Sequence, residues 1–166
     1  MAIPKHKSQR VAVLIDPQNM YHSAKNIYKA RTNFKEILKA AVAGRQLIRA
    51  IAYVIKTETG EEKPFFEALT NLGLETRIRD LQEFYDGQKK ADWDVGIVID
   101  AIRTSSSVDV IVLCSGDGDF TTLVEYLKNQ GKRVEAIAFG RTTSAKLKEA
   151  VDEFIDIENE PKKFLL

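Results

Sequence analysis

The chain has 166 residues, 44% hydrophobic and 30% charged, with a formal net charge of +1. That length suits one ordinary domain with a substantial core, and the composition is that of a soluble globular protein, not a disordered one. The small net charge excludes a global attraction to nucleic acid, so any basic surface must be local. The lone Cys114 excludes an internal disulfide, which makes the reducing cytoplasm the expected compartment. No apolar stretch approaches the ~20 residues that span a bilayer, so no membrane partner is expected.

Met1 to Arg10 is basic, but only a short apolar run follows before Asp16, which argues against a signal peptide. Residues 1–9 are expected to be a flexible N-terminal segment. Arg10 to Asp16 reads as a first strand and Asn19 to Ile27 as a short helix. Asn33 can cap a second helix, Phe34 to Ala43, which Gly44 ends. Leu47 to Ile55 reads as a second strand and Lys56 to Glu62 as a polar loop. Pro64 suits a first helical turn, with Phe65, Phe66, Leu69 and Leu72 as the apolar stripe and Gly73 as the stop.

Leu74 to Leu81 alternates as a strand with one solvated side does, which suits a sheet edge. After the polar segment Gln82 to Lys90, a helix is expected from about Trp93 to Thr104. Val108 to Cys114 is a fully apolar strand. Asp119 to Asn129 follows as a helix with Phe120, Leu123, Val124 and Leu127 on its core side. Arg133 to Phe139 is a strand, Ser144 to Val151 a helix and Phe154 to Ile157 a last short strand. The chain thus divides into a domain over residues 10–157 and a surface tail over 158–166. Strands alternating with helices predict an α/β fold: a three-layer parallel sheet with helices on both faces.

In such sheets ligands bind beyond the carboxyl ends of the strands, where the strand order reverses. Asp16, Asp117 and Asp119 all fall at strand carboxyl ends. Ser115-Gly116-Asp117-Gly118-Asp119-Phe120 follows a buried strand directly. Two carboxylates so close repel each other, and a divalent cation removes that penalty. Oxygen-only ligands on tight turns suit Mg²⁺ or Mn²⁺. Asn19 could assist a ligand or merely cap a helix, and Asp16 and Asp117 also have ordinary readings as caps. Ser115 and Gly116 would allow close backbone approach. Asp94 opens a helix, with Asp92 as an alternative ligand or its cap. Asp100 lies about 120° from Asp94 at ~100° per residue, so the two do not both face one ion. In its apolar stretch Asp100 needs a partner, either metal or a basic residue.

Lys89, Lys90, Arg141 and Lys146 are candidate phosphate ligands, and Thr142, Thr143 and Ser144 open a helix whose N–H groups could hold an anion. Tyr21, Tyr85 and Trp93 could stack on bases, although Tyr21 and Trp93 also read as packing residues. His6 and His22 lack metal-ligand spacing and are given no catalytic role. No zinc pattern, nucleophile elbow, Walker loop or dinucleotide fingerprint is present. A phosphotransferase with Asp16 as nucleophile is disfavoured because Gln18 stands where a second acid is wanted. A receiver-like switch is disfavoured because the acid pair follows a late strand.

On these residues the chain resembles the NYN domains of the PIN-like nuclease superfamily, in particular the LabA-like branch. The resemblance rests on Ile15-Asp16-Pro17-Gln18-Asn19, on Lys90 to Asp100, on Ser115 to Phe120, on Phe139-Gly140 and on Ser144, Leu147 and Phe154. It implies a compact Rossmann-like (PIN-like) sheet and a metal-dependent ribonuclease, expected to be an endonuclease, using Mg²⁺ or Mn²⁺. It also implies Asp16, Asp94, Asp117 and Asp119 as the catalytic, metal-binding acids, with Asn19, Ser115 and Asp100 in support. Lys90, Arg141 and Thr143 would then hold substrate, which is expected to be RNA, with single strands favoured. Two features depart from the family pattern: Pro17 replaces a common glycine, and the Lys-Ala-Asp-Trp-Asp spacing is one residue long. A catalytically weak RNA-binding or regulatory protein on the same fold is the alternative. The exposed edge strand and the apolar tail Phe164-Leu165-Leu166 would permit a homodimer.

Overall fold

A computed structural model of the chain describes residues 3–57, 60, 63–80 and 93–166, and the backbone alone of 82–83 and 89–90. In chain order the elements are β1 (Arg10–Ile15), α1 (Pro17–Tyr28), α2 (Phe34–Val42), β2 (Gln46–Lys56), α3 (Lys63–Asn71), β3 (Glu75–Asp80), β4 (Gln82–Glu83), β5 (Lys89–Lys90), α4 (Asp94–Ser105), β6 (Val110–Cys114), α5 (Thr121–Asn129), β7 (Arg133–Ala138), α6 (Ala145–Ala150), β8 (Glu153–Asp156) and α7 (Pro161–Phe164).

Among the described residues, six strands form one parallel sheet in the order β3-β2-β1-β6-β7-β8. The chain winds outward from β1 to β3, returns beside β1 with β6, then winds outward again to β8. Strand order therefore reverses between β1 and β6, the place where doubly wound sheets open a crevice.

The two faces are built by side-chain alternation along the strands. Val11, Val13 and Ile15 of β1 and Val110, Val112 and Cys114 of β6 join Met20, Ile37, Leu69 and Phe164 in one core. Ala12 and Leu14, with Ile111 and Leu113, join Ile97, Leu123, Leu127 and Leu147 in the other. Thus α1, α2, α3 and α7 cover one face, and α4, α5 and α6 cover the other. Each fully buried Leu or Ile contributes about 2 kcal/mol. This is the three-layer α/β architecture that the alternating pattern predicts. β3 lies at one edge, and the exposed Arg79 and Asp80 it carries there discourage edge-to-edge pairing.

Local differences have physical causes. The helix expected from Asp119 begins as a 3-10 turn over Gly118–Phe120, because the Asp117 side chain accepts the Asp119 N–H and tightens the entry. The polar segment after β3 contains a two-residue antiparallel ladder, β4 with β5, too short to leave a sequence period. The tail is not a surface appendage: Phe164 is 3% exposed in the core, and Thr32 bridges Leu165. Phe164 is thus committed to its own chain. The segment before β1 is tied down as well. The Arg133 guanidinium donates to the Ile3 carbonyl at 2.7 Å, and Lys5 lies 3.2 Å from Glu153.

Beneath that segment lies a buried ion network that periodicity cannot reveal. Glu135, fully buried on β7, accepts from Arg45 at 2.8 and 2.9 Å and from Arg133 at 2.7 Å. Burial alone would raise the Glu135 pKa. The hydrogen bonds from Arg45 and Arg133 outweigh it, and the pKa is lowered. Among the described residues, no helix is long and apolar enough to cross a membrane.

Candidate metal centre

Ile15 and Cys114 are registered partners at the ends of β1 and β6, so Asp16 and Ser115 emerge side by side where the strand order reverses. The Asp16 N–H continues the ladder, donating to the Cys114 carbonyl at 3.1 Å. Asp16 caps α1: its Oδ1 accepts the Asn19 N–H at 3.4 Å, and Pro17 fills the first helical turn. Its Oδ2 accepts the Ser115 hydroxyl at 3.4 Å. Asn19 Oδ1 accepts the Gly116 N–H at 3.0 Å. Ser115 Oγ accepts the Asp117 N–H at 3.2 Å, and Asp117 Oδ1 accepts the Asp119 N–H at 2.9 Å. These bonds stitch the acid-bearing turn to α1 and to itself.

The glycines in that turn are required by close approach. A Cβ on Gly116 would lie 2.6 Å from Thr143 Oγ1, and one on Gly118 would lie 2.7 Å from Ser144 Oγ. The Ser144 N–H also donates to the Gly116 carbonyl at 3.1 Å. The turn after β6 is therefore pressed against the segment after β7, which leaves no room for side chains.

Asp94 arrives from the other side, in the first turn of α4. Trp93 precedes it and anchors that turn: its indole N–H donates to the Val54 carbonyl at 3.0 Å, and its ring sits 5.4 Å from Tyr53. As a result Asp94, Asp117 and Asp119 each offer a carboxylate oxygen within 4.8 Å of the other two. Opposite ligands of an octahedral Mg²⁺ lie about 4 Å apart, so small side-chain rotations would close this set on one ion. The donors are all oxygen, as hard cations prefer. Asp16 is not in that triad but lines the same open cleft, of about 210 Å³, with Gln18, Asn19, His22, Tyr53, Ile55, Trp93, Asp94 and Asp117.

The other singled-out residues lie elsewhere. Asp100 is buried on α4, 2.7 Å from the Arg77 guanidinium and 2.8 Å from the Tyr53 hydroxyl. Its partner is thus a basic residue. Burial, then the bond to Asp100, pushes the Tyr53 phenol well above its ordinary value. Arg141 is outside the cleft lining. Its Nε donates to Glu158 at 2.6 Å, its N–H donates to the same carboxylate at 2.8 Å, and its other end reaches the Tyr28 hydroxyl at 3.4 Å. Thr143 is buried and donates to the Phe139 carbonyl at 2.7 Å. Tyr21 is 44% exposed rather than packed. Tyr85, Asp92 and the side chains of Lys89 and Lys90 lie outside the described residues. Cys114 is fully buried, which pushes its thiol far up and suits a core residue.

His22 and Gln18 were passed over in the sequence. The usable signal was spacing along α1: Asn19 and His22 are three apart, so they are neighbours on one helix face. Tyr53 and Ile55 end β2 on the cleft side, which only the tertiary arrangement makes evident.

Comparison with known proteins agrees with this geometry. The chain is 28% identical to "Low amplitude and bright protein LabA" of Synechococcus elongatus, over 96% of this chain and 89% of that protein. A crystal structure of a protein of unknown function from Vibrio parahaemolyticus superposes with a TM-score of 0.87 at 32% identity, covering 99% of this chain and all of that one. The family model for the NYN domain matches residues 10–158, the whole sheet and every acid of the cleft. The chain belongs to the NYN domain family, whose members are generally nucleases.

Proposed function

We propose that the protein is a metal-dependent ribonuclease, cutting single-stranded RNA internally by hydrolysis of phosphodiester bonds. The observation that carries this reading is the convergence of Asp94, Asp117 and Asp119 within 4.8 Å at the carboxyl edge of the sheet. Without a counter-ion these charges repel an anionic polymer, so RNA binding itself depends on a cation.

In this reading Asp94, Asp117 and Asp119 hold Mg²⁺ or Mn²⁺, and Asp16 faces the same space. When bound, such a cation supplies Lewis acidity toward a phosphodiester and lowers the pKa of water. The chain supplies rigidity. Asn19 and Ser115 fix the backbone of the acid turn through the Gly116 and Asp117 N–H groups, so the carboxylates are aimed before substrate arrives. Exposed Asp119 closes the solvent side of the triad. The open cleft admits an unpaired strand whose backbone reaches the acids, with Trp93 available on its wall.

The test is cleavage of a labelled single-stranded RNA with Mn²⁺, with Mg²⁺ and with EDTA, by the parent and by Asp117→Asn. The reading expects cation-dependent internal cleavage that EDTA abolishes and the variant loses by 10²-fold or more, roughly the cost of removing one essential electrostatic group. Equal rates for the variant and the parent under Mn²⁺ would sink it. Salt-sensitive RNA binding without any cleavage would favour a regulatory RNA-binding protein instead.

A further inference from the structure

We propose that Arg79, held over the ring of Trp93, is a phosphate-binding group that receives the RNA strand on the β3 side of the cleft. This rests on the ribonuclease reading and adds the direction along which the strand runs. Arg79 registers with Ile55, and Arg77 with Tyr53, so Arg79 stands on the sheet face that lines the cleft. It is exposed, and its guanidinium carbon lies 4.2 Å from the Trp93 ring centroid.

The indole is itself a built platform. Its N–H is fixed on Val54, its ring leans on Tyr53, and Gly96 makes room for it. A Cβ on Gly96 would lie 2.6 Å from the Trp93 ring. Trp93 is half-buried and adjoins Asp94 in the chain, so one wall joins the acid triad to the arginine. A guanidinium stacked on an aromatic ring keeps its planar fork ordered for phosphate, and an aromatic cleft wall suits unpaired bases. The other arginines near the sheet rim are committed: Arg49 to Glu75 at 2.8 Å, Arg77 to Asp100 at 2.7 Å and Arg141 to Glu158 at 2.6 Å. The strand therefore leaves the acids over β2 and β3, away from β7 and β8.

The experiment measures binding of a fluorescein-labelled oligouridylate to the full chain across a KCl series in Mg²⁺, in an Asp117→Asn background so that RNA is not consumed. Arg79→Ala should bind about tenfold more weakly. Its plot of log affinity against log salt should be shallower by about 0.7, the signature of one lost phosphate contact on a single strand. Arg79→Lys should restore the slope but not all of the affinity. Arg103→Ala, exposed at the far end of α4, should change neither. In the protein with Asp117 intact, Arg79→Ala should raise KM and leave kcat within about twofold.

An unchanged salt slope, or an equal loss from Arg103→Ala, would overturn the proposal and leave Arg79 as a clasp on Trp93. Cleavage indifferent to Arg79 would remove this inference and leave the nuclease reading standing. A salt slope that falls in a protein with no cleavage would do the reverse, and no RNA binding at all would remove both.

Discussion

Asp117→Asn should stabilise the protein in EDTA. The amide keeps the Oδ1 acceptor that takes the Asp119 N–H at 2.9 Å, so the tight turn survives and only the charge is lost. Asp117 faces two other carboxylates within 4.8 Å. At that separation one pair repels by about 0.9 kcal/mol in a water-like medium and about 3.5 kcal/mol at an effective dielectric constant of about 20. The cleft is open and Asp119 is exposed, so the lower limit governs, and two pairs give a gain of about 1–2 kcal/mol. Salt should shrink that gain. With Mn²⁺ at a hundred times its dissociation constant, the parent should gain about 2.7 kcal/mol and the variant little, so the order of stability inverts. Urea unfolding of both proteins in EDTA and in Mn²⁺ reads the four values. A variant destabilised equally in both media would refute the reasoning, because its carboxylate would then have been in a favourable contact of its own, not in a cluster awaiting a cation.

Gly116→Ala forces a methyl group against Thr143 Oγ1 and should cost about 1–3 kcal/mol and most RNA cleavage; adding Thr143→Ala should recover part of the stability, measured by thermal unfolding. Glu135→Gln leaves Arg45 and Arg133 buried without their counter-charge and should cost about 3–5 kcal/mol at neutral pH. Its sign with pH is set by a folded-state pKa below the ordinary 4.5. The stabilisation is full above that ordinary value and is lost as pH falls through the lower folded one. The variant's unfolding free energy should accordingly fall less steeply below pH ~4.5 than the parent's, and identical slopes would contradict the assignment. Phe164→Ala, which empties a site that is 3% exposed, should cost about 3–5 kcal/mol by chemical denaturation, whereas a loose tail would lose almost nothing.

Apolar runs such as Val11–Ile15 and Val110–Cys114 made the buried parallel strands readable, because both faces of a covered sheet demand hydrophobic residues. The acid turn was readable because carboxylates directly after such strands must lie at the sheet's rim. What escaped depends on distant partners. Arg141 is adjacent to the rim in sequence, but Glu158 from the tail holds it, and no local pattern announces that pair. Thr143 looked like a phosphate ligand and instead packs on Gly116. Asp100 was recognised as needing a partner, but only the β2–β3 register identifies it as Arg77. The tail carried no period, because Phe164 is anchored by a single side chain and not by a stripe.

The account depends most directly on where a divalent ion sits. Anomalous diffraction from a crystal soaked in Mn²⁺ should give a peak bounded by the carboxylates of Asp94, Asp117 and Asp119, with metal–oxygen distances of about 2.1–2.2 Å. The same soak of Asp117→Asn should weaken or remove the peak. A well-diffracting crystal with Mn²⁺ bound only at other surfaces, or with each of these carboxylates turned to a separate partner, would contradict it.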